Sequence, residues 1–309
     1  MRIAIMGTGG TGGYFGGLLA RAGEEVTFIA RGDHLEAIRK NGLAIKSVLS
    51  GDFSIPANAT DNTQDIGPVD FVLFCVKAYD NAAAADQIRP LIGPQTVVLS
   101  VQNGIDNEQQ IGEVIGPEHI VGCVSYVSSI IESPGVIAQT GGPGKIVFGE
   151  MQGGTSARTE ALQSTLQNSG IAAELHSNIQ TALWQKFLGI CAVNGVTALT
   201  RLPLGEILAC EEARNLMRGT MEEVDAVARA SGAALPEGSV DQSMDFFSSM
   251  GASVRGSMYY DLAGGRRLEL EVLNGAVVRL GAEHGIPTPI NSTIYAALKP
   301  YLNGKPSSS

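Results

Sequence analysis

The chain has 309 residues, enough for one large or two ordinary domains. A formal charge of −10 leaves no basic footprint for nucleic acid and disfavours anionic membrane surfaces, though a local cationic pocket stays open. No apolar run looks long enough to cross a membrane, since Phe187-Leu-Gly-Ile-Cys-Ala-Val193 stops at Asn194.

Arg2-Ile-Ala-Ile-Met6 reads as a buried strand, and Gly7-Thr8-Gly9-Gly10-Thr11-Gly12 follows with the spacing of a dinucleotide-binding turn. Gly7 allows the turn, Gly9 lets backbone approach a pyrophosphate, and Gly12 lets the next helix lie against the strand. That helix is expected over 11–22, with its first N–H groups and positive dipole end aimed at the phosphates. A glycine-rich turn without a ligand is the bland alternative in a chain with 39 glycines.

The second strand is expected at 25–30. An NAD-binding unit places an Asp or Glu at the end of that strand, for the ribose 2′-hydroxyl. This chain has Ala30-Arg31-Gly32 there. A guanidinium matches a 2′-phosphate, so Arg31 argues for NADP(H). A solvated surface arginine with Asp33 close behind is the alternative.

The near-continuous apolar runs 69–76 and 95–101 suit parallel strands covered on both faces, with a helix between them at 81–90. Further strands are expected at 120–127, 136–139, 145–149 and 172–175, and a helix at 157–168. The pattern predicts a doubly wound, Rossmann-type α/β domain over 1–177. From 178 to 309 period-two patterning disappears. Amphipathic segments at 179–199, 211–230, 269–284 and 294–302 predict an all-helical second domain, with Ser177 or Asn178 as first cap. The tail 305–309 is expected to be disordered. No solenoid-type repeat is present.

Cys75, Cys123, Cys191 and Cys210 form no CxxC or Cys/His cluster, and His34, His119, His176 and His284 are scattered. Buried free thiols, no structural metal and a cytoplasmic location are expected.

Ligands on a doubly wound sheet lie beyond the carboxyl ends of the strands. Lys77 and Asn103 follow successive strands and are candidates to face the cofactor. A solvated loop lysine and an Asn-Gly turn are their plain alternatives. On the apolar helix 179–199, Lys186 and Thr197 fall within about 20° of each other around the axis, and Asn194 about 80° from Lys186. A lysine on a buried helix gives up its proton more readily, which suits acid catalysis; snorkelling from the helix edge is the alternative. Ser257 reads as a helix N-cap with Asp261 one turn on, and Glu269 as the opening residue of a helix.

Taken together, the glycine turn with Arg31, Val76-Lys77-Ala78, Gln102-Asn103-Gly104, Leu183-Trp184-Gln185-Lys186 with Asn194 and Thr197-Ala198, and Ser257-Met258 leading to Glu269 and Asn274-Gly275 resemble the ketopantoate reductase family over nearly the whole chain. The resemblance implies an enzyme of pantothenate and coenzyme A synthesis, in which NADPH reduces the C2 ketone of a 2-oxo acid. It implies Lys186 as general acid, Glu269 as orienting group and contact of the nicotinamide ribose, and Asn103 bridging cofactor and substrate. It implies Ser257 on the substrate carboxylate and Asn194 on the substrate's polar groups. Family members commonly carry a second Asn one turn after the lysine; this chain has Ile190, and Leu204 is apolar too, which leaves a less hydroxylated, branched 2-oxo acid open. A dehydrogenase of another hydroxy acid or an amino-acid-derived imine, and a non-catalytic NADP(H) sensor, are the rival readings. Oligomeric state is not readable, and a homodimer is compatible with the helical half.

Overall fold

A computed structural model describes residues 1–306 of the chain. By internal contacts it divides into two units, one of 1–102 with 106–179, the other of 103–105 with the chain from 180 onward.

In chain order the first unit contains β1 (Arg2–Met6), α1 (Gly10–Arg21), β2 (Glu25–Ile29), α2 (Gly32–Asn41), β3 (Leu43–Ser47), β4 (Phe53–Ile55), β5 (Asn58–Thr60) and β6 (Phe71–Phe74). It continues with α3 (Asn81–Gln87), β7 (Val97–Ser100), α4 (Asn107–Ile115), β8 (Ile120–Ser133), β9 (Val136–Glu150), α5 (Ala157–Asn168) and β10 (Ala172–Leu175). The strands form one mixed sheet in the order β4-β3-β9-β8-β7-β6-β1-β2-β5, with β10 on β9. The run β8-β7-β6-β1-β2-β5 is parallel throughout.

Alternation along each central strand feeds two cores. Ile3, Ile5, Phe28 and Leu73 pack with Tyr14, Phe15 and Leu18 of α1. Ala4, Met6, Val72 and Phe74 face the other way, onto Ala84 and Ala85 of α3 and Ile111 of α4. Helices on both faces of a parallel sheet make this the doubly wound architecture. The glycines of α1 set how closely it lies: a Cβ on Gly16 would come within 2.7 Å of Phe28, and one on Gly13 within 2.6 Å of Ile137.

The three short strands expected over 120–149 are two long ones. β8 and β9 pair antiparallel from Val121–Glu150 to Ser133–Val136, with register shifts near Ser128 and Ser133. Polar, exposed residues in the second half of β8 and the middle of β9 hide their strand character from an apolar-run criterion. β3 and the edge strands β4 and β5 have no counterpart in the sequence reading; the two edge strands are three residues long.

The second unit contains α6 (Ile179–Thr200), α7 (Leu204–Ala209), α8 (Glu211–Ala230), α9 (Ser239–Ser248), α10 (Ser257–Ala263), α11 (Asn274–His284) and α12 (Pro289–Leu298). No strand occurs from 180 on among the described residues. On α8, Met217, Met221, Val224, Val227 and Ala228 repeat at helical spacing and are buried in the unit's single core.

Several expectations need correction. α6 is long and apolar enough to span a membrane, contrary to the estimate from 187–193 alone, but 78% of its most apolar window is buried inside the protein. Such burial is what a core helix shows. Glu269 does not open a helix: α11 begins at Asn274, and 264–273 form irregular structure and turns. Ser257 is the first residue of α10, preceded by the extended Gly256 as cap, and no side chain caps it. Cys210 is exposed and Cys75 half-buried, while Cys123 and Cys191 are buried, and none of the four is in a disulfide. In the tail, 307–309 lie outside the described residues.

Candidate functional site

The glycine turn begins at Gly7, whose φ of +96° demands glycine, as does Val76, whose side chain a Cβ there would meet at 2.8 Å. Thr8 is buried, and both its N–H and its hydroxyl donate to the Ile29 carbonyl at 3.0 Å, tying the turn to the end of β2. A Cβ on Gly10 would strike the Ser129 carbonyl at 2.2 Å, and one on Gly12 the Gly7 carbonyl at 2.3 Å. Gly9 is different: a Cβ there would meet nothing within 4 Å, and its backbone is extended at the start of α1. The first turn of α1, with half-buried Thr11, contains no acidic residue and no side-chain cap. Its first N–H groups and dipole therefore present an anion-binding end, open at Gly9. These features fit a dinucleotide pyrophosphate.

Arg31 is the cap residue of α2, just after β2, and its Nη2 lies 3.2 Å from Asp80 Oδ2. Asp80 went unnoticed in the sequence because it follows β6, two strands away from β2. Lys77, half-buried, follows β6 and opens a short 3₁₀ turn over Ala78–Asp80. His34 of α2 accepts a hydrogen bond at Nδ1 from the Gly135 N–H at 3.0 Å. Burial lowers its pKa below the ordinary 6.5, opposed by the Thr8 backbone. It too escaped the sequence reading, since a lone histidine carries no spacing signal.

The second unit holds the other candidates. Lys186, half-buried, and Asn194, buried, are both on α6. Asn194 Oδ1 accepts from Ser257 Oγ at 3.2 Å and from the Met258 N–H at 2.9 Å, while its Nδ2 donates to the Ile190 carbonyl at 2.9 Å. Thr197 accepts from the Gly256 N–H at 3.1 Å and donates to the Val193 carbonyl. Asn194 and Thr197 thus fasten the start of α10 to α6, and this leaves the Ser257 side chain at an exposed position. Gly256 sits so close to Asn194 that a Cβ would come within 2.7 Å of its Cα. Glu269 is buried in the irregular segment before α11. Asn103 is half-buried and groups with this unit, as does Ile105, which packs on its core. Ile190 borders that core and Leu204 lies within it. Among the described residues no cluster of His, Cys, Asp and Glu could hold a metal ion.

A family model described as ketopantoate reductase PanE/ApbA matches residues 3–153, and one described as its C terminal matches 178–302. The chain belongs to the ketopantoate reductase family. This family membership makes it an oxidoreductase acting on CH–OH groups. A 2-dehydropantoate 2-reductase of Mesorhizobium japonicum is 32% identical, with 97% of each chain covered. The crystal structure of 2-dehydropantoate 2-reductase from Geobacter metallireducens GS-15 matches with a TM-score of 0.90 at 35% identity, covering 97% of this chain and 99% of that one. A ternary structure of D-mandelate dehydrogenase with NADH and anilino(oxo)acetate shares the fold, with a TM-score of 0.89 at 24% identity over 97% and 98% of the two chains.

Proposed function

We propose that this chain reduces a 2-oxo acid to a 2-hydroxy acid with NADPH, 2-dehydropantoate being the first substrate to test. The observation that carries the reading is the glycine turn, where Gly9 alone opens on free space at the acid-free start of α1. Gly7 to Gly12 would hold the pyrophosphate, Arg31 the 2′-phosphate, and Lys77 and Asn103 further polar groups of the dinucleotide. When bound, NADPH supplies the hydride.

The roles in the second unit follow from the charge that reduction creates. Negative charge grows on the C2 oxygen, and the Lys186 ammonium stabilises it most in the transition state. Lys186 Nζ then passes its proton to that oxygen. Glu269 would orient the lysine and the ribose, and Asn103 would reach both cofactor and substrate. Ser257 Oγ would bind the substrate carboxylate by turning its O–H away from Asn194 Oδ1, which keeps the Met258 N–H. Asn194 already spends Oδ1 and one N–H within the protein, so its second N–H is what it would offer to substrate.

Ile190, half-buried at the border of the core, favours a second substrate class, branched 2-oxo acids without a hydroxyl; Leu204 lies inside the core and does not bear on the choice. Fold alone does not choose, since the same fold serves a protein named D-mandelate dehydrogenase. With 1–177 as cofactor domain and 178–309 as substrate domain, we assign the chain to the cytoplasm and to pantothenate synthesis.

The test is the loss of NADPH absorbance with 2-dehydropantoate, 2-oxoisovalerate and other 2-oxo acids. Turnover that disappears in Lys186→Ala supports the reading. Tight NADPH binding with no turnover of any 2-oxo acid overturns it.

A further inference from the structure

Four buried polar side chains at the carboxyl ends of β6 and β7 form a chain of hydrogen bonds: Ser100, Gln102, Asn81 and Asn107. Ser100 Oγ donates to Gln102 Oε1 at 2.9 Å. Gln102 Nε2 donates to the Val76 carbonyl at 2.6 Å and to Asn81 Oδ1 at 2.7 Å. Asn81 Nδ2 in turn donates to Asn107 Oδ1 at 2.9 Å and to Gln110 Oε1 at 3.1 Å. Both N–H groups of Gln102 and both of Asn81 are thereby used.

This arrangement has one direction only. A flipped Gln102 amide would turn its oxygen toward the Val76 carbonyl and Asn81 Oδ1, acceptor against acceptor. Buried polar groups of this kind are costly unless satisfied, and when satisfied they select a single local conformation. The conformation selected is that of the Val76–Lys77 peptide. The Val76 carbonyl and the Lys77 N–H share one rigid plane, so a bond to that carbonyl sets the direction in which the chain, and then the Lys77 side chain, departs. Gln102 reaches this peptide from the residue directly before Asn103.

We propose that Gln102, held by Asn81, is a positioning residue for cofactor binding: its amide locks the Val76–Lys77 peptide and the chain leading into Asn103. The inference rests on the cofactor reading of Lys77 and Asn103 given above. A packing role alone would lower stability without changing how the folded protein binds.

The experiment compares wild type, Gln102→Met, Asn81→Ala, Lys77→Ala and the double variant Gln102→Met/Lys77→Ala. NADPH and NADH dissociation constants and kcat are measured at a temperature where each protein is folded, with Tm recorded beside them. Gln102→Met is expected to weaken NADPH binding about tenfold and to lower kcat by at least as much, since small misplacements of binding groups carry such costs. Asn81→Ala, which removes one of the two acceptors and can be read if Gln102→Met does not fold, is expected to weaken binding about threefold. In the Lys77→Ala background the Gln102→Met effect on affinity should shrink below threefold, because its target is already gone. A lowered Tm with unchanged affinity and kcat in both single variants overturns the inference, as does full additivity with Lys77→Ala. If wild type binds neither dinucleotide, or Lys77→Ala binds like wild type, it is the cofactor reading that falls instead.

Discussion

The Arg31 guanidinium lies 3.2 Å from the Asp80 carboxylate, with Arg31 88% and Asp80 34% exposed. The charge assigned to a 2′-phosphate is therefore already shared with an acid from the turn that follows β6. A phosphate reaching Arg31 comes within about 6 Å of that acid, where repulsion through water is worth about 1 kcal/mol for a doubly charged group. Asp80→Asn is expected to raise the preference for NADPH over NADH about fivefold, and Arg31→Ala to abolish it. Dissociation constants for the two dinucleotides, from fluorescence titration at low and high salt, check both. Equal NADPH and NADH affinity in wild type removes the role given to Arg31.

Gly9 and Gly12 separate binding from folding. Alanine fits the extended Gly9 backbone and meets no neighbour, so Gly9→Ala should shift Tm by less than about 2 °C. The new methyl group stands where a pyrophosphate must approach, and NADPH affinity should fall at least about tenfold. Gly12→Ala instead drives a methyl group against the Gly7 carbonyl, and also toward Ile5 and Cys75. Its expected cost is about 1–3 kcal/mol of stability, seen as a lower urea midpoint. Thermal melts and titrations on the two variants decide the matter.

Lys186 is assigned a proton transfer, and general acids of this type contribute about 10²–10⁴ in rate. Lys186→Ala should lose that much kcat while NADPH affinity stays within about twofold. Lys186→Arg keeps the charge but holds its proton far more tightly, so it should recover only a small part of the rate. Steady-state kinetics with separate cofactor titrations test this. An alanine variant with near wild-type kcat removes Lys186 from the chemistry.

His34 gives the fold a dependence on mild acid. Burial lowers its pKa, so the folded state favours the neutral ring that accepts from Gly135. Above about pH 6.5 the ring is neutral in both states and its contribution is complete. As pH drops below that value the unfolded chain takes up the proton first, and stability falls until the lower folded-state pKa is passed. Urea midpoints between about pH 7.5 and 5.5 should decline in wild type and decline less in His34→Gln. A pH-independent difference between the two proteins excludes the titration.

Much of this was legible in the chain because the elements concerned carry their own period or punctuation. The residues 211–230 repeat apolar side chains at helical spacing, and α8 occupies that span. β10 and α5 likewise match the expected 172–175 and 157–168. Glu269 was misread because an acidic residue before an apolar run looks like a first helical turn; tertiary contacts hold 264–273 out of the helix, with the Leu268 N–H donating to the Leu302 carbonyl. Asp80, His34 and the Gln102–Asn81 pair depend on which strands lie side by side. No spacing along the chain encodes Asp80 meeting Arg31, 49 positions earlier. Gln102 was visible only as part of a Gln-Asn-Gly signature, without its partners.

Ile190 bears on the substrate. It lies four residues after Lys186 on α6, half-buried at the border of the helical core, and its carbonyl takes one N–H of Asn194. Its apolar side chain can neither donate to nor accept from a substrate hydroxyl, and a site that lacks such a partner discriminates poorly for one. The wild-type protein is therefore expected to turn over 2-oxoisovalerate at a kcat/KM within about tenfold of that for 2-dehydropantoate. Ile190→Asn supplies a donor and an acceptor one turn from the lysine, and a hydrogen bond to a neutral group is worth about 0.5–1.5 kcal/mol. The ratio of kcat/KM for 2-dehydropantoate over 2-oxoisovalerate should rise about three- to tenfold in the variant, chiefly through KM. A wild-type ratio already above about 10³ would show that other residues read the hydroxyl and that Ile190 has no part in substrate choice.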